Sequence, residues 1–221
     1  MKRIVLVLAA ATAALAAFGA VARAGIVFPY PNSTISATRI NLVGRDPGAP
    51  GDQADSTAAF AKVTVTVRDV ANNPVPNVSV VLDYSGCTSD LKFSSTTSYH
   101  HTLLRDCRLY EVEGYTDASG TVQFVVIGAR GGDTPHLPGC MIVFADSYLI
   151  GRLGVGAYDQ NGVNGLTLAD LGLWAADYFA ATNPDRSDYN GDGVVTLADL
   201  SMWAGAYFAN HSPASAASYC P

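Results

Sequence analysis

Basic residues are scarce in this chain: 13 Lys and Arg stand against 19 Asp and Glu in 221 residues, and Lys2, Arg3 and Arg23 fall within the first 24. Without those three, 10 basic residues face 19 acidic ones, a net charge of −9. Binding a nucleic-acid backbone requires clustered Lys and Arg to release counterions, so this balance argues against nucleic acid and favours a cation as partner. Long apolar runs are also missing beyond residue 24, where no stretch reaches the roughly 20 residues that span a bilayer, and no membrane span is expected. The chain holds no Gly-x-Ser-x-Gly elbow, no His-Glu-x-x-His helix and no Walker loop. Its histidines are His100-His101, His136 and His211, and neighbours on a strand point to opposite faces, a poor geometry for shared ligation. A glycosidase needs two carboxyls facing across a cleft, whereas Glu111 and Glu113 alternate with Val112 along one strand and read as a solvated face. A non-catalytic protein is expected.

The leader itself is informative. Basic Met1-Lys2-Arg3 precedes an apolar run from Ile4 to Phe18, interrupted only by Thr12, and Ala22-Arg23-Ala24 supplies small residues where a signal peptidase cleaves. Residues 1–24 therefore read as a signal peptide, and the mature chain is expected to be secreted. Export places Cys87, Cys107, Cys140 and Cys220 where disulfides persist, and no Cys-x-x-Cys pair suggests a zinc site instead. Four cysteines allow three pairings. Cys87 and Cys107 flank one excursion between predicted strands, which leaves Cys140 to Cys220.

From Ile26 to about Tyr158 the pattern is that of strands. Thr34 to Val43 alternates, Lys62 to Arg68 places Val63, Val65 and Val67 on one face, and Val78 to Tyr84 resumes after a Pro- and Asn-rich turn that predicts a hairpin. Gly44 to Asp55 is a loop by composition. Thr116 to Thr121 forms a tight turn, with Gly120 free to take a positive φ, between Tyr110–Tyr115 and Val122–Ile127. Met141–Ala145 and Leu149–Val155 complete about seven strands. Short strands at this spacing predict an antiparallel β-sandwich. The elements Val65-Thr66-Val67-Arg68-Asp69, Asn73-Pro74-Val75-Pro76-Asn77-Val78 and Thr116-Asp117-Ala118-Ser119-Gly120 resemble those of bacterial immunoglobulin-like domains, best over residues 60–128. That resemblance implies a fold and no reaction.

After Tyr158 the sequence repeats. Thr167-Leu168-Ala169-Asp170-Leu171 recurs as Thr196-Leu197-Ala198-Asp199-Leu200, and Trp174, Tyr178 and Phe179 recur as Trp203, Tyr207 and Phe208, always 29 residues on. Aromatic and Leu residues three or four apart make one apolar helical face, so each copy is a loop followed by a helix. The six aromatics are expected to be mostly core. Calcium takes about six to eight hard oxygens, which an EF-hand loop delivers from its first, third, fifth, seventh, ninth and twelfth residues. In the second loop these are Asp188, Asn190, Asp192, the Val194 carbonyl, Thr196 and Asp199, with Gly193 at the sharp sixth position. The first loop keeps Asp159, Asn161, Thr167 and Asp170 but has Val163 fifth and Asn164 sixth, so a weaker site or a metal-free copy is expected there. Three carboxylates, Asp188, Asp192 and Asp199, are expected to converge on one point in the second loop.

Two such units over residues 159–209 resemble type I dockerins. The resemblance implies Ca2+-dependent folding and attachment to cohesin modules of extracellular polysaccharide-degrading assemblies or cell surfaces. Small hydroxyl residues at the tenth and eleventh loop positions face the cohesin in that family; Leu168-Ala169 and Leu197-Ala198 stand there in this chain. An apolar face of this kind is expected to pack within the chain.

The expected organisation is a mainly β chain: signal peptide 1–24, an immunoglobulin-like antiparallel β-sandwich 25–157, an α-helical dockerin or EF-hand-like module 158–210, and a tail 211–221. The short junction from Gly154 to Tyr158 predicts that the two parts touch. Its role would be extracellular protein binding or surface attachment, with a cohesin-held accessory subunit of a polysaccharide-degrading complex as the alternative.

Overall fold

The computed structural model describes residues 29–44, 58–87, 91–94, 104–130, 139–209 and 220. The leader, nearly all of the loop from Gly44 to Asp55, the four histidines and the tail apart from Cys220 lie outside the described residues. Among the described residues the chain is mainly β, with three helices near its C-terminal end, and no helix is long and apolar enough to cross a membrane.

Strands β1 (Thr34–Ile35), β3 (Lys62–Thr66) and β8 (Thr121–Val125) form a three-stranded sheet in the order β1-β3-β8. A six-stranded sheet runs β2 (Arg39–Leu42), β11 (Tyr148–Ala157), β10 (Met141–Ala145), β4 (Ser79–Asp83), β7 (Glu111–Tyr115) and β6 (Leu104–Asp106). A two-stranded sheet pairs β5 (Leu91–Phe93) with β9 (Gly128–Arg130). Alternation decides which side chains are shared between the sheets: Val63, Val65 and Phe124 from the first meet Val80, Leu82, Val112, Met141, Val143 and Leu153 from the second in one core.

Four sequence expectations are corrected by this topology. Thr34 to Val43 is not one strand: Ser36 pairs with Thr64 through both its backbone and its hydroxyl, and the chain then crosses to the other sheet as β2. β2 runs parallel to β11, Ile40 opposite Val155, so the arrangement is not purely antiparallel. No hairpin joins β3 to β4, because β3 pairs with β1 and β8 while β4 pairs with β7 and β10. The intervening Asp69 instead takes N–H groups from Ala71 and Asn73 and turns the chain between sheets. The predicted turn at Thr116–Thr121 does form, with Gly120 at φ +73 and Asp117 as its internal acceptor.

The disulfides are the fourth correction. Both bridges form, but Cys87 joins Cys140 and Cys107 joins Cys220. Sheet order explains the pairing: Cys87 follows β4 and Cys140 precedes β10, its antiparallel neighbour, so the two Cα atoms lie 4.9 Å apart. Cys107 follows β6, and Cys220 is brought in by its N–H donating to the Phe93 carbonyl on β5.

The helices are α1 (Leu168–Ala180), α2 (Pro184–Ser187) and α3 (Leu197–Ala209). Strand β11 runs without a linker to Ala157, and Tyr158 enters a second core with Trp174, Tyr189 and Trp203 from the helical part and Val43, Val125 and Ile127 from the β part. The two parts touch, as the short junction predicts.

Candidate metal centre

The two loops fold alike because the same residues close them from inside. Asp170, third residue of α1, accepts from the N–H groups of Gln160 and Asn161 through Oδ1 and of Thr167 through Oδ2; Asp199 accepts from Tyr189, Asn190 and Thr196 in the same way. Each carboxylate thus ties its loop's start to its end. The hydroxyls of Thr167 and Thr196 in turn accept the N–H groups of Ala169 and Ala198, capping the helices. The fourth residues, Gly162 and Gly191, and the sixth, Asn164 and Gly193, all have positive φ, so Asn164 does fill the place of a glycine. These shared bonds are what a 29-residue duplication of loop and helix requires.

The first residues differ. Asp188 is as buried as Asp159, and its oxygens accept from the N–H groups of Gly191, Asp192 and Gly193. Asp159 is only 5% exposed; Oδ1 accepts from Gly162, but Oδ2 is buried with no hydrogen-bond partner. Burial, and then the charge of Asp170, push the Asp159 carboxyl up to about 6.

Among the described residues no three acidic, His or Cys side chains gather as a metal-holding group, Asp188, Asp192 and Asp199 included. The reason lies in the bonds just described: each is turned toward backbone or amide N–H groups, Asp192 toward Val194 and the Asn190 amide. The donor set still fits calcium. Asn190, Thr196 and the Val194 carbonyl supply neutral oxygens; of the about four lone-pair directions of an ionised carboxylate, Asp188 and Asp192 leave some unfilled, whereas three N–H groups and the Thr196 hydroxyl already occupy those of Asp199. In the first loop the unpartnered Asp159 Oδ2 is itself an oxygen in need of a cation or proton.

Sequence reasoning missed what lies beneath the loops. Arg39 and Asn41, on the face of β2 turned away from the main core, are buried under the helical part. The Asn41 amide donates to the Tyr189 carbonyl at 2.9 Å, and Arg39 donates to Asn41 Oδ1 and to the Asp185 carbonyl. Burial pushes the Arg39 guanidinium below its ordinary value, and the Asp188 charge offsets part of that. Gln160 and Tyr189, the second residues of the two loops, meet at 2.6 Å, and the Tyr189 ring packs on Tyr158 at 4.8 Å. Their identical loop position was the signal in the sequence.

The aromatic residues divide. Trp174 and Trp203 are buried, each stacked on the tyrosine four residues on with centroids 5.0 Å apart. Phe179 and Phe208 are 81% and 67% exposed, and Leu168 and Leu197 are 65% and 63% exposed. The expectation that this apolar face packs within the chain therefore fails for these four, because α1 and α3 turn Trp174 and Trp203, with Leu171, Leu200 and Tyr207 beside them, toward the shared core.

The class so defined is a mainly β, doubly disulfide-bonded chain ending in a duplicated acidic loop-helix unit docked on its sheets. No protein-family description matches the chain, and neither the curated proteins nor the solved structures include a match.

Proposed function

We propose that this is a secreted, non-catalytic, calcium-binding protein in which an immunoglobulin-like β-sandwich carries a dockerin-like pair of calcium loops, and that it acts in extracellular protein binding or surface attachment. The observation that supports it is the identical stapling of the two loops by Asp170 and Asp199, around oxygens placed at the first, third, seventh, ninth and twelfth positions of both. Two disulfides fit export to an oxidising compartment. In this reading Asp188, Asn190, Asp192, the Val194 carbonyl, Thr196 and Asp199 hold Ca2+, which supplies the positive charge that the loop's carboxylates lack.

Calorimetric titration of the mature protein tests it. One calcium event is expected, lost in Asp188→Ala or Asp192→Ala and little changed in Asp159→Ala. A heat trace indistinguishable from buffer in the unmodified protein rejects the proposal. The second reading, an accessory subunit held by a cohesin, is favoured by the exposure of Leu168 and Leu197 at the tenth loop positions. A pull-down with cohesin modules in calcium and in EDTA distinguishes the two, since only the second requires calcium-dependent capture.

A further inference from the structure

We propose that Lys92, on β5 in the β part, is the residue that sets the metal stoichiometry: its ammonium stands in for a metal ion at the first loop and keeps calcium out of it. This rests on reading the loops as calcium sites.

The Lys92 side chain crosses directly over Gly162, the fourth residue of that loop. A Cβ at Gly162 would lie 2.9 Å from Lys92 Nζ, 3.2 Å from its Cδ and 2.6 Å from the Arg130 carbonyl, so only glycine admits this approach. The Gly162 N–H in turn donates to Asp159 Oδ1 at 2.7 Å, so the glycine under the ammonium is the one bonded to the loop's first carboxylate. That carboxylate has the buried, unpartnered Oδ2; burial and the charge of Asp170 raise it to about 6, and the charge of Lys92 opposes them only in part. The same loop carries Val163 where the second has Asp192, and so lacks one ligand.

The second loop provides the contrast. Its equivalent glycine, Gly191, is also covered by a basic residue of the β part, but by the methylene stem of Arg39, whose Cδ would lie 3.4 Å from a Cβ there. The Arg39 guanidinium is hydrogen-bonded to Asn41 and the Asp185 carbonyl, so although it feels the Asp188 charge its head group is not placed over Gly191. Asp159 Oδ2 has no hydrogen-bond partner, so the Lys92 ammonium acts on the buried carboxylate through space and not by an ion pair, and its charge disfavours a divalent cation through a medium of lower dielectric than water. A head group at one loop and a stem at the other therefore separate a lysine-filled loop from a metal-filled one.

The test is calcium titration of the mature protein and its Lys92→Met and Lys92→Arg variants, Met keeping the length of the chain and Arg keeping the charge. The unmodified protein and Lys92→Arg give one event. Lys92→Met gains a second, with first-loop affinity at least tenfold higher, and adding Asp159→Asn removes it again. Two equal events in the unmodified protein, or an unchanged titration in Lys92→Met, overturn the proposal. Thermal melts in EDTA decide it separately from whether any loop binds calcium. If the ammonium neutralises Asp159, Lys92→Met lowers Tm in the unmodified background and not in Asp159→Asn; equal shifts in both backgrounds overturn it.

Discussion

Asp177 and Arg186 form an ion pair closed to solvent, with the guanidinium Nη2 donating to Asp177 Oδ1 at 2.7 Å and Nε to Oδ2 at 2.9 Å. Asp177 also accepts from the hydroxyls of Thr182 and Ser187 and from the Asn183 N–H, so one carboxylate gathers the whole corner between α1 and the second loop. Burial alone would raise its pKa, but the bonds from Arg186, Ser187 and Thr182 outweigh that and hold it below the ordinary value of 3.8. A carboxyl depressed on folding stabilises above its unfolded pKa, and that stability is lost as pH falls through the folded value. Acid melts below 3.8 should therefore show the helical part giving way. At neutral pH Asp177→Asn should cost roughly 3–5 kcal/mol, because it leaves a buried guanidinium unpaired. Denaturant melts that differ by less than about 1 kcal/mol would remove this corner from the account.

Gly156 sets the distance between the two parts. A Cβ there would lie 2.2 Å from Asn41 Oδ1 and 2.7 Å from Arg39 Nη2, so Gly156→Ala must push these side chains away from Tyr189 and Asp185. Both tryptophans of the chain, Trp174 and Trp203, lie in the helical part, and their fluorescence reports it separately from the strands. In Gly156→Ala the fluorescence transition should precede the loss of the far-ultraviolet β signal. Coincident transitions at the unmodified midpoint would mean that the docking does not depend on this close approach.

How far the sequence reveals these features depends on their range. The repeat was legible because each copy must cap its own helix and close its own loop, and those bonds lie within twelve residues of one another. Strands β3, β4, β7, β8, β10 and β11 were legible from alternation, whereas β5, β6 and β9 are three residues each, too short to show a period. Arg39 and Asn41 alternate with Ile40 and Leu42, and nothing local reveals that a second layer covers them. Asp177 was recoverable, since Asp170, Trp174 and Asp177 mark one buried helical stripe.

The cysteine pairing required the sheet order, which no local pattern carries, and it makes a direct prediction. Non-reducing peptide maps should recover Cys87 with Cys140 and Cys107 with Cys220, at sequence separations of 53 and 113. In the chain-entropy treatment such loops stabilise by about 4 and about 5 kcal/mol, so removing either bridge should lower Tm clearly. A peptide joining Cys87 to Cys107 would return the pairing to the one expected from sequence proximity.

Asp159 gives a pH dependence of opposite sign to that of Asp177. Burial and the neighbouring Asp170 raise its carboxyl from the ordinary 3.8 to about 6, so the folded chain holds a proton that the unfolded chain has released between those values. Folding then takes up a proton, and the resulting stability is fully present below 3.8 and lost as pH rises through about 6. Over that window the unmodified protein should lose stability relative to Asp159→Asn, whose amide does not titrate. Calcium adds a discriminating arm. With Lys92 beside the loop and the metal confined to the second site, saturating calcium should raise Tm at every pH without flattening this difference. If calcium erased the dependence, the metal would be displacing the proton at Asp159, and the first loop would be a working site after all.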